Sequence, residues 1–203
     1  ELTLDSSGHL AGKGTLVLTG HHAWTRTHWQ PSPAETVSAW EKWLEENLAD
    51  FDASDVVVHE EVETQRVEVT WTMALREEAT LSTEATLLPS RPLGPVRQSE
   101  LFPPGRRTTI LLPFADRDEL ELRLSWPEGW APGALPATTK IASPAGALEA
   151  EASVDEAAHS LWFRRRFDVA HKEAGNREQM VALHSLYNEA QKSDAQALVL
   201  VRR

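Results

Sequence analysis

Between residues 67 and 73 the chain alternates strictly. Val67, Val69, Trp71 and Met73 take every second place, and Glu68, Thr70 and Thr72 fill the places between. Successive side chains on an extended strand point to opposite faces, so this pattern makes a strand with one buried face. Such a strand needs neighbours in a sheet and a cover over its apolar side. The same pattern returns where Leu120, Leu122, Leu124 and Trp126 alternate with Glu121, Arg123 and Ser125. Further β-type runs occur at Thr15–Leu18, from Val56, from Leu81 to Pro89, and at Thr108–Leu112. Others follow at Thr138–Ala142, Ala147–Val154, Leu161–Phe167 and Ala197–Val201. Residues 2–30 read as β throughout, with His22, Trp24, Arg26 and His28 alternating with Ala23, Thr25, Thr27 and Trp29. Ser6-Ser7-Gly8, Gly20 and Pro127-Glu128-Gly129-Trp130 are turns. Gly12 and Gly14 flank Lys13 and mark a bulge or a close backbone approach.

Two stretches break the β pattern. Ser32-Pro33-Ala34-Glu35 supplies a capping hydroxyl, a proline at the first helical position and a glutamate three residues after the cap. Val37, Trp40, Leu44, Leu48 and Phe51 then recur at helical spacing, which predicts a helix over about 32–50 with one apolar stripe. A second helix, about 176–193, starts at Asn176 with Gln179 reaching back in a capping box, and Met180, Leu183, Tyr187 and Ala190 form its stripe. The expected fold is therefore mainly β with two helices (α+β). Turns recurring about every 8–12 residues suit an antiparallel, sandwich-like architecture with the helices packed on sheet faces. Pro- and Gly-rich residues 89–105 divide the chain into a β-rich part with one helix (1–90) and a sandwich-like part with the C-terminal helix (91–203). The two parts either stand separately or share one core.

Composition narrows the function classes. The chain of 203 residues has no cysteine, which removes disulfides, zinc–thiolate centres and a cysteine nucleophile. Its net charge of −11 argues against nucleic acid as a partner. No apolar run reaches the roughly 18 residues of a membrane span, and no signal-peptide pattern is present. The opening at Glu1, inside a β-type run, reads as a segment of a longer protein.

The chemistry-bearing residues are dispersed. His22 and His28 share parity on the expected strand but stand about 20 Å apart along it, too far for one metal ion. Glu60-Glu61, Glu77-Glu78 and the acids between Asp116 and Glu121 read as solvated faces. No G-x-S-x-G, G-x-G-x-x-G or phosphate-binding loop occurs, so neither a cofactor nor a metal is expected. Arg164-Arg165-Arg166 alternates about a strand, with Arg165 facing away from its neighbours, and reads as an ion-pairing edge. Eight tryptophans stand against one tyrosine. Trp40, Trp71, Trp126 and Trp162 fall on apolar stripes or strands and read as core. Trp43 and Trp130 are the expected exposed pair and the candidate binding residues.

The order of the pieces resembles a known family. Leu2-Thr3-Leu4-Asp5 with Gly8 and Gly12 opens a hairpin, and Gly20 precedes Arg26 and a helix. Arg106-Arg107-Thr108-Thr109-Ile110 follows the Pro-rich stretch. Then come Trp126-Pro127-Glu128-Gly129-Trp130, Leu135-Pro136, Phe163 to Phe167, and a helix with Tyr187. This resembles the C-terminal β-rich region of bacterial transglutaminase-like proteins. In these an N-terminal β domain and a central transglutaminase/protease-like domain come first. The resemblance implies a non-catalytic accessory domain that packs on upstream domains of the same parent chain or on another envelope protein. It also implies a periplasmic or envelope location and a catalytic Cys-His-Asp outside this segment. Two other readings are a stand-alone glycan- or peptide-binding module using Trp43 and Trp130, and a metal- or acid-assisted hydrolase using His22, His28 and Glu60 or Glu61.

Overall fold

A computed structural model describes residues 1–27, 33–48, 50–76, 85–93, 109–112, 116–170 and 173–203. The fold is α+β and mainly β. In chain order the strands are β1 (Leu2–Leu4), β2 (Leu10–Thr19), β3 (Phe51–Glu61), β4 (Arg66–Leu75), β5 (Ala85–Pro89), β6 (Ile110–Leu111) and β7 (Asp116–Ser125). They continue with β8 (Trp130–Ala134), β9 (Thr139–Ser143), β10 (Gly146–Asp155), β11 (Ser160–Val169), β12 (Glu173–Ala174) and β13 (Ala197–Arg202). The helices are α1 (His21–Thr27), α2 (Pro33–Asn47) and α3 (Arg177–Asp194).

One sheet of eight strands, ordered β3-β4-β2-β1-β7-β11-β10-β9, carries the structure. Its neighbours pair antiparallel except β1 and β7, which run parallel with Leu2 opposite Leu124. This is a departure from the all-antiparallel expectation. The strands come from both sides of the Pro-rich stretch, and β1 and β7 join the two groups. Residues 94–105 of that stretch lie outside the described residues.

The sheet is one-sided, as the alternating pattern requires. On β4, Val67, Val69, Trp71 and Met73 are buried, and on β11 so are Leu161, Phe163, Phe167 and Val169. The covered face packs against α2, α3 and a three-stranded sheet ordered β5-β13-β8. Leu88, Leu198 and Leu200 of the small sheet share a core with Leu122, Leu124, Leu161 and Phe163 of the large one. A second core lies under α3, where Leu183, Leu186, Tyr187 and Ala190 meet Leu148, Phe167 and Val169.

Local details follow from the sequence. The Asn176 side chain accepts from the Gln179 amide at 2.9 Å, and the Gln179 carboxamide accepts from the Asn176 amide, so the capping box closes. Gly14 sits opposite Trp71 in the β2–β4 pair, and a Cβ there would come within 2.2 Å of the indole. The glycine is the room into which the tryptophan folds. The close backbone approach expected at Gly12 and Gly14 is present at Gly12, where the Glu1 carbonyl occupies the space of a Cβ, whereas at Gly14 the close neighbour is a side chain.

The β reading of residues 2–30 fails at residues 21–27, which are helical. Gly20 at φ +57° turns the chain out of the sheet, and its carbonyl accepts from Trp24 to start a helical turn. A helix this short also buries Ala23 between exposed neighbours, so alternation cannot tell the two states apart. His28, Trp29 and Ser32 lie outside the described residues, as do Glu77, Glu78, Leu81 and Thr108.

Trp40, Leu44 and Leu48 are buried in one core with Val67, Val69, Trp71 and Met73. Trp43 is half-buried and meets the Trp40 ring edge-on at 5.4 Å. Trp40→Ala is expected to cost about 3–5 kcal/mol and Trp43→Ala far less. Urea denaturation of both variants checks the ranking, and the reverse order would show that the helix presents its other face.

Candidate functional site

The face of the large sheet opposite the core is open to solvent, and its chemistry concentrates on β7, β11, β10 and β9. Odd positions of β7 and even positions of β11 point there, which fixes four cross-strand rows. Glu119 lies opposite Arg166, itself opposite Glu149, itself opposite Lys140. Glu121, Arg164 and Glu151 form the next row. Arg117 and Asp168 stand on one side of these, Arg123 and Trp162 on the other. Opposite charges placed directly across strands attract, and here they do so in nearly every row.

The contacts are short. Arg164 Nη2 reaches Glu121 Oε1 at 3.0 Å. Arg166 Nε donates to Asp168 Oδ2 at 2.6 Å, and Arg117 Nε donates to Asp168 Oδ1 at 2.6 Å. Lys140 Nζ lies 3.6 Å from Glu149 Oε1. The Arg164 guanidinium stacks 3.5 Å over the Trp162 ring, whose Nε1 is buried and makes no hydrogen bond. Around Glu119, Glu121, Glu149, Glu151, Arg164 and Arg166 the sheet forms a depression of about 500 Å³. Burial pushes the Asp168 carboxyl up, but the hydrogen bonds from Arg166 and Arg117 outweigh this and hold it below the ordinary 3.8.

Arg165 does the opposite of its neighbours. It projects from the middle of β11 into the covered layer and is 2% exposed. Its Nε donates to Asp194 Oδ1 at 2.5 Å and its Nη2 to Asp194 Oδ2 at 3.2 Å. Its Nη1 makes no hydrogen bond and lies 3.5 Å from Asp118 Oδ2, which accepts from Arg91 Nη2 at 2.6 Å. The opposed facing read from the sequence holds, and so does the ion pairing. The edge position does not: β11 lies between β7 and β10, inside the sheet.

The expected tryptophan pair is not an exposed pair. Trp130 is 5% exposed, because Gly129 at φ +84° turns it back into β8 and its indole rests over Gly8. Trp43 is half-buried against Trp40. Among the described residues the exposed indole is Trp24, stacked on His21 at 5.8 Å. Trp162, assigned to the core by its strand position, faces the open side; its even parity on β11 carried that signal beside the apolar odd positions. His22 Nε2 bonds Asp116 Oδ1 at 2.8 Å, whereas Glu61 pairs with His59 and Arg66 on β3 and β4, so these two members of the hydrolase set have different partners, and His28 lies outside the described residues. Among the described residues no three His, Asp or Glu side chains converge to hold a metal ion.

Comparison of the chain with protein-family models, curated proteins and solved structures finds no match in any of the three. The resemblance to transglutaminase-like proteins therefore rests on the turn motifs alone.

Asp194→Ala is expected to cost about 3–5 kcal/mol, because it leaves Arg165 buried without its counter-charge. Arg166→Ala, on the open face, should cost much less; equal losses on thermal melting would overturn this ranking. A second outcome concerns acid. Because the folded Asp168 carboxyl is depressed, its stabilisation is full above the unfolded value of 3.8 and fades as pH falls through the folded value. Asp168→Asn should flatten the acid limb of stability below about pH 4. Parallel curves for the two proteins would contradict the assignment.

Proposed function

We propose that this chain is a non-catalytic interaction domain of a longer polypeptide, and that the open face of its large sheet docks a neighbouring domain. The carrying observation is the ion-paired face itself. Its four cross-strand rows hold five basic residues (Lys140, Arg117, Arg123, Arg164, Arg166) and five acidic ones (Glu119, Glu121, Glu149, Glu151, Asp168). A neutral patch of this kind, within a chain of net charge −11, is a surface where association meets little net repulsion. Its fixed checkerboard of charge gives register and specificity to whatever packs there, more than raw affinity. The depression gives it shape, and Trp162 under Arg164 gives it one aromatic anchor of the type enriched at binding hot spots.

The resemblance supplies the partner's identity in this reading: an upstream transglutaminase/protease-like domain of an exported protein, working in the periplasm or at the envelope. The Trp126-Pro127-Glu128-Gly129-Trp130 passage supports it as a turn built on Gly129. The glycan-platform reading has lost Trp130 to the core and has no specific observation in its favour.

The test is association of this domain with the domain preceding it in its polypeptide, measured by titration. Arg164→Glu combined with Arg166→Glu should weaken binding about ten-fold or more, and added salt should slow association. Unchanged affinity in a variant with an intact fold, or no association at all, overturns the reading.

A further inference from the structure

Among the described residues the large sheet has a gap inside it. β1 stands between β2 and β7, but it is three residues long while each flanking strand has ten. β1 pairs with Leu10 to Gly12 on β2 and with Leu124 and Ser125 on β7. Glu1 extends the ladder by one place, since its carbonyl accepts from the Lys13 amide at 2.9 Å and its own nitrogen donates to the Lys13 carbonyl at 2.8 Å. Beyond this point β2 runs on through six positions, Gly14 to Thr19, and β7 faces it from Leu122 back to Arg117. Two strands that flank a third lie about 10 Å apart, so the opening has the width of one strand.

The gap is lined by ladder groups. Glu1 and Lys13 exchange both their hydrogen bonds, so the odd residues of β2 turn their backbone groups toward β1 and the even ones toward β4. Thr15, Val17 and Thr19 therefore point their amides and carbonyls into the gap. On β7 the Trp126 amide donates to His159 beside β11, which puts the even residues on β11 and turns Arg117, Glu119 and Glu121 toward the gap. Among the described residues no strand pairs with either row. At the far end α1 and β7 come together, where His22 Nε2 bonds Asp116 Oδ1 at 2.8 Å. Among the described residues the opening is thus flanked by β2 and β7, meets the His22–Asp116 contact at its far end and is continuous with the β1 ladder.

We infer that this gap receives a six-residue strand joined to Glu1 on its N-terminal side, antiparallel to β2 and parallel to β7. This rests on the reading that the chain is one domain of a longer polypeptide. The occupant's chemistry follows from parity. Leu2 and Leu4 point to the covered face and Glu1 and Thr3 to the open one. The first, third and fifth residues ahead of Glu1 then enter the core layer beside Gly14, Leu16 and Leu18 and should be apolar. The second and fourth stand on the open face beside Glu121 and Glu119 and should be basic or hydroxylic. The strand lengthens the seam between the two halves of the sheet.

The test attaches Thr-Val-Lys-Val-Lys-Val ahead of Glu1 and follows amide hydrogen exchange residue by residue. Exchange at Thr15, Val17, Thr19, Glu119 and Glu121 should slow about ten-fold or more. Proline at the second and fourth places, which removes the amides that bond to β2, should abolish that protection. Three outcomes overturn the inference: amides already protected without the extension, exchange unchanged by it, or protection by the same peptide added separately but not when joined. The Arg164→Glu and Arg166→Glu double variant separates the two proposals. Loss of docking with gap protection retained leaves the strand in place; docking without gap protection leaves only the open-face reading.

Discussion

An arginine buried in the centre of a sheet fixes where everything around it must sit. Arg165 occupies an apolar column between Phe163 and Phe167, and a carboxylate held in two-pronged geometry is the main offset to its loss of water, with Asp118 3.5 Å from Nη1 beside it. The carboxylate so held is Asp194, the last residue of α3. A negative charge at a helix C-terminus is unfavourable by itself, because the helix dipole is negative there. The two liabilities cancel only when they meet. The pair therefore fixes α3 along its axis, and the turn into β13 follows at once. Ser90, just after β5, donates its hydroxyl toward the Ser193 and Asp194 carbonyls at 3.3 Å, and its amide bonds Gln196. Arg91 next to it reaches Asp118 on β7. The small sheet, α3 and the large sheet are thus located relative to one another by a few polar contacts within an otherwise apolar layer.

The same strand shows how one sheet serves two purposes. Its odd positions build the core, and its even positions, Trp162, Arg164, Arg166 and Asp168, build the charged open face. Alternation imposes this division, and a one-residue slip would exchange the two sets. Register is strongly specified for this reason: a slip would bury the charged Arg164, Arg166 and Asp168 and expose Leu161, Phe163 and Phe167. The charged face is exposed and screened, so it contributes little to stability. Its charges cost the fold little and are free to be arranged for recognition.

Legibility followed locality. The strands around Val67 to Met73 and Leu120 to Trp126, the α2 stripe as far as Leu44 and the Asn176–Gln179 box are set by residues within a few positions and stand where the pattern puts them, whereas α2 ends at Asn47 and Phe51, counted on its stripe, opens β3. The Gly14 signal was legible as a close approach but not its cause, since Trp71 comes from a distant strand. What failed depended on pairing. Seven residues of α1 alternate as a strand would, and only Gly20 marks the turn. Trp130 looks like a turn tip, yet β8 pairs with β13, the last strand of the chain, and turns it inward. Arg165 was placed on its correct face, but the counter-ion 29 residues away and the interior position of β11 are properties of topology. The parallel β1–β7 pair joins residues more than a hundred positions apart and leaves no mark in either segment.

The edges of the large sheet make a final distinction. Free strand edges invite pairing, and folded proteins guard them with charges, bulges and short strands. The outer edge at β3 has both devices: Asp52, Asp55, Glu60 and Glu61 along it, and a break in register between Ser54 and Val57 with Asp55 at φ +52°. The outer edge at β9 is five residues long and carries Lys140. The inner edge of β2 is built differently. Thr15, Val17 and Thr19 are uncharged β-formers without a bulge, and Val17 is 45% exposed. An edge left smooth and uncharged while both outer edges are blunted has the composition of a strand interior. That is the character expected of a strand with neighbours on both sides, and it favours a pairing partner at this position over an opening kept clear.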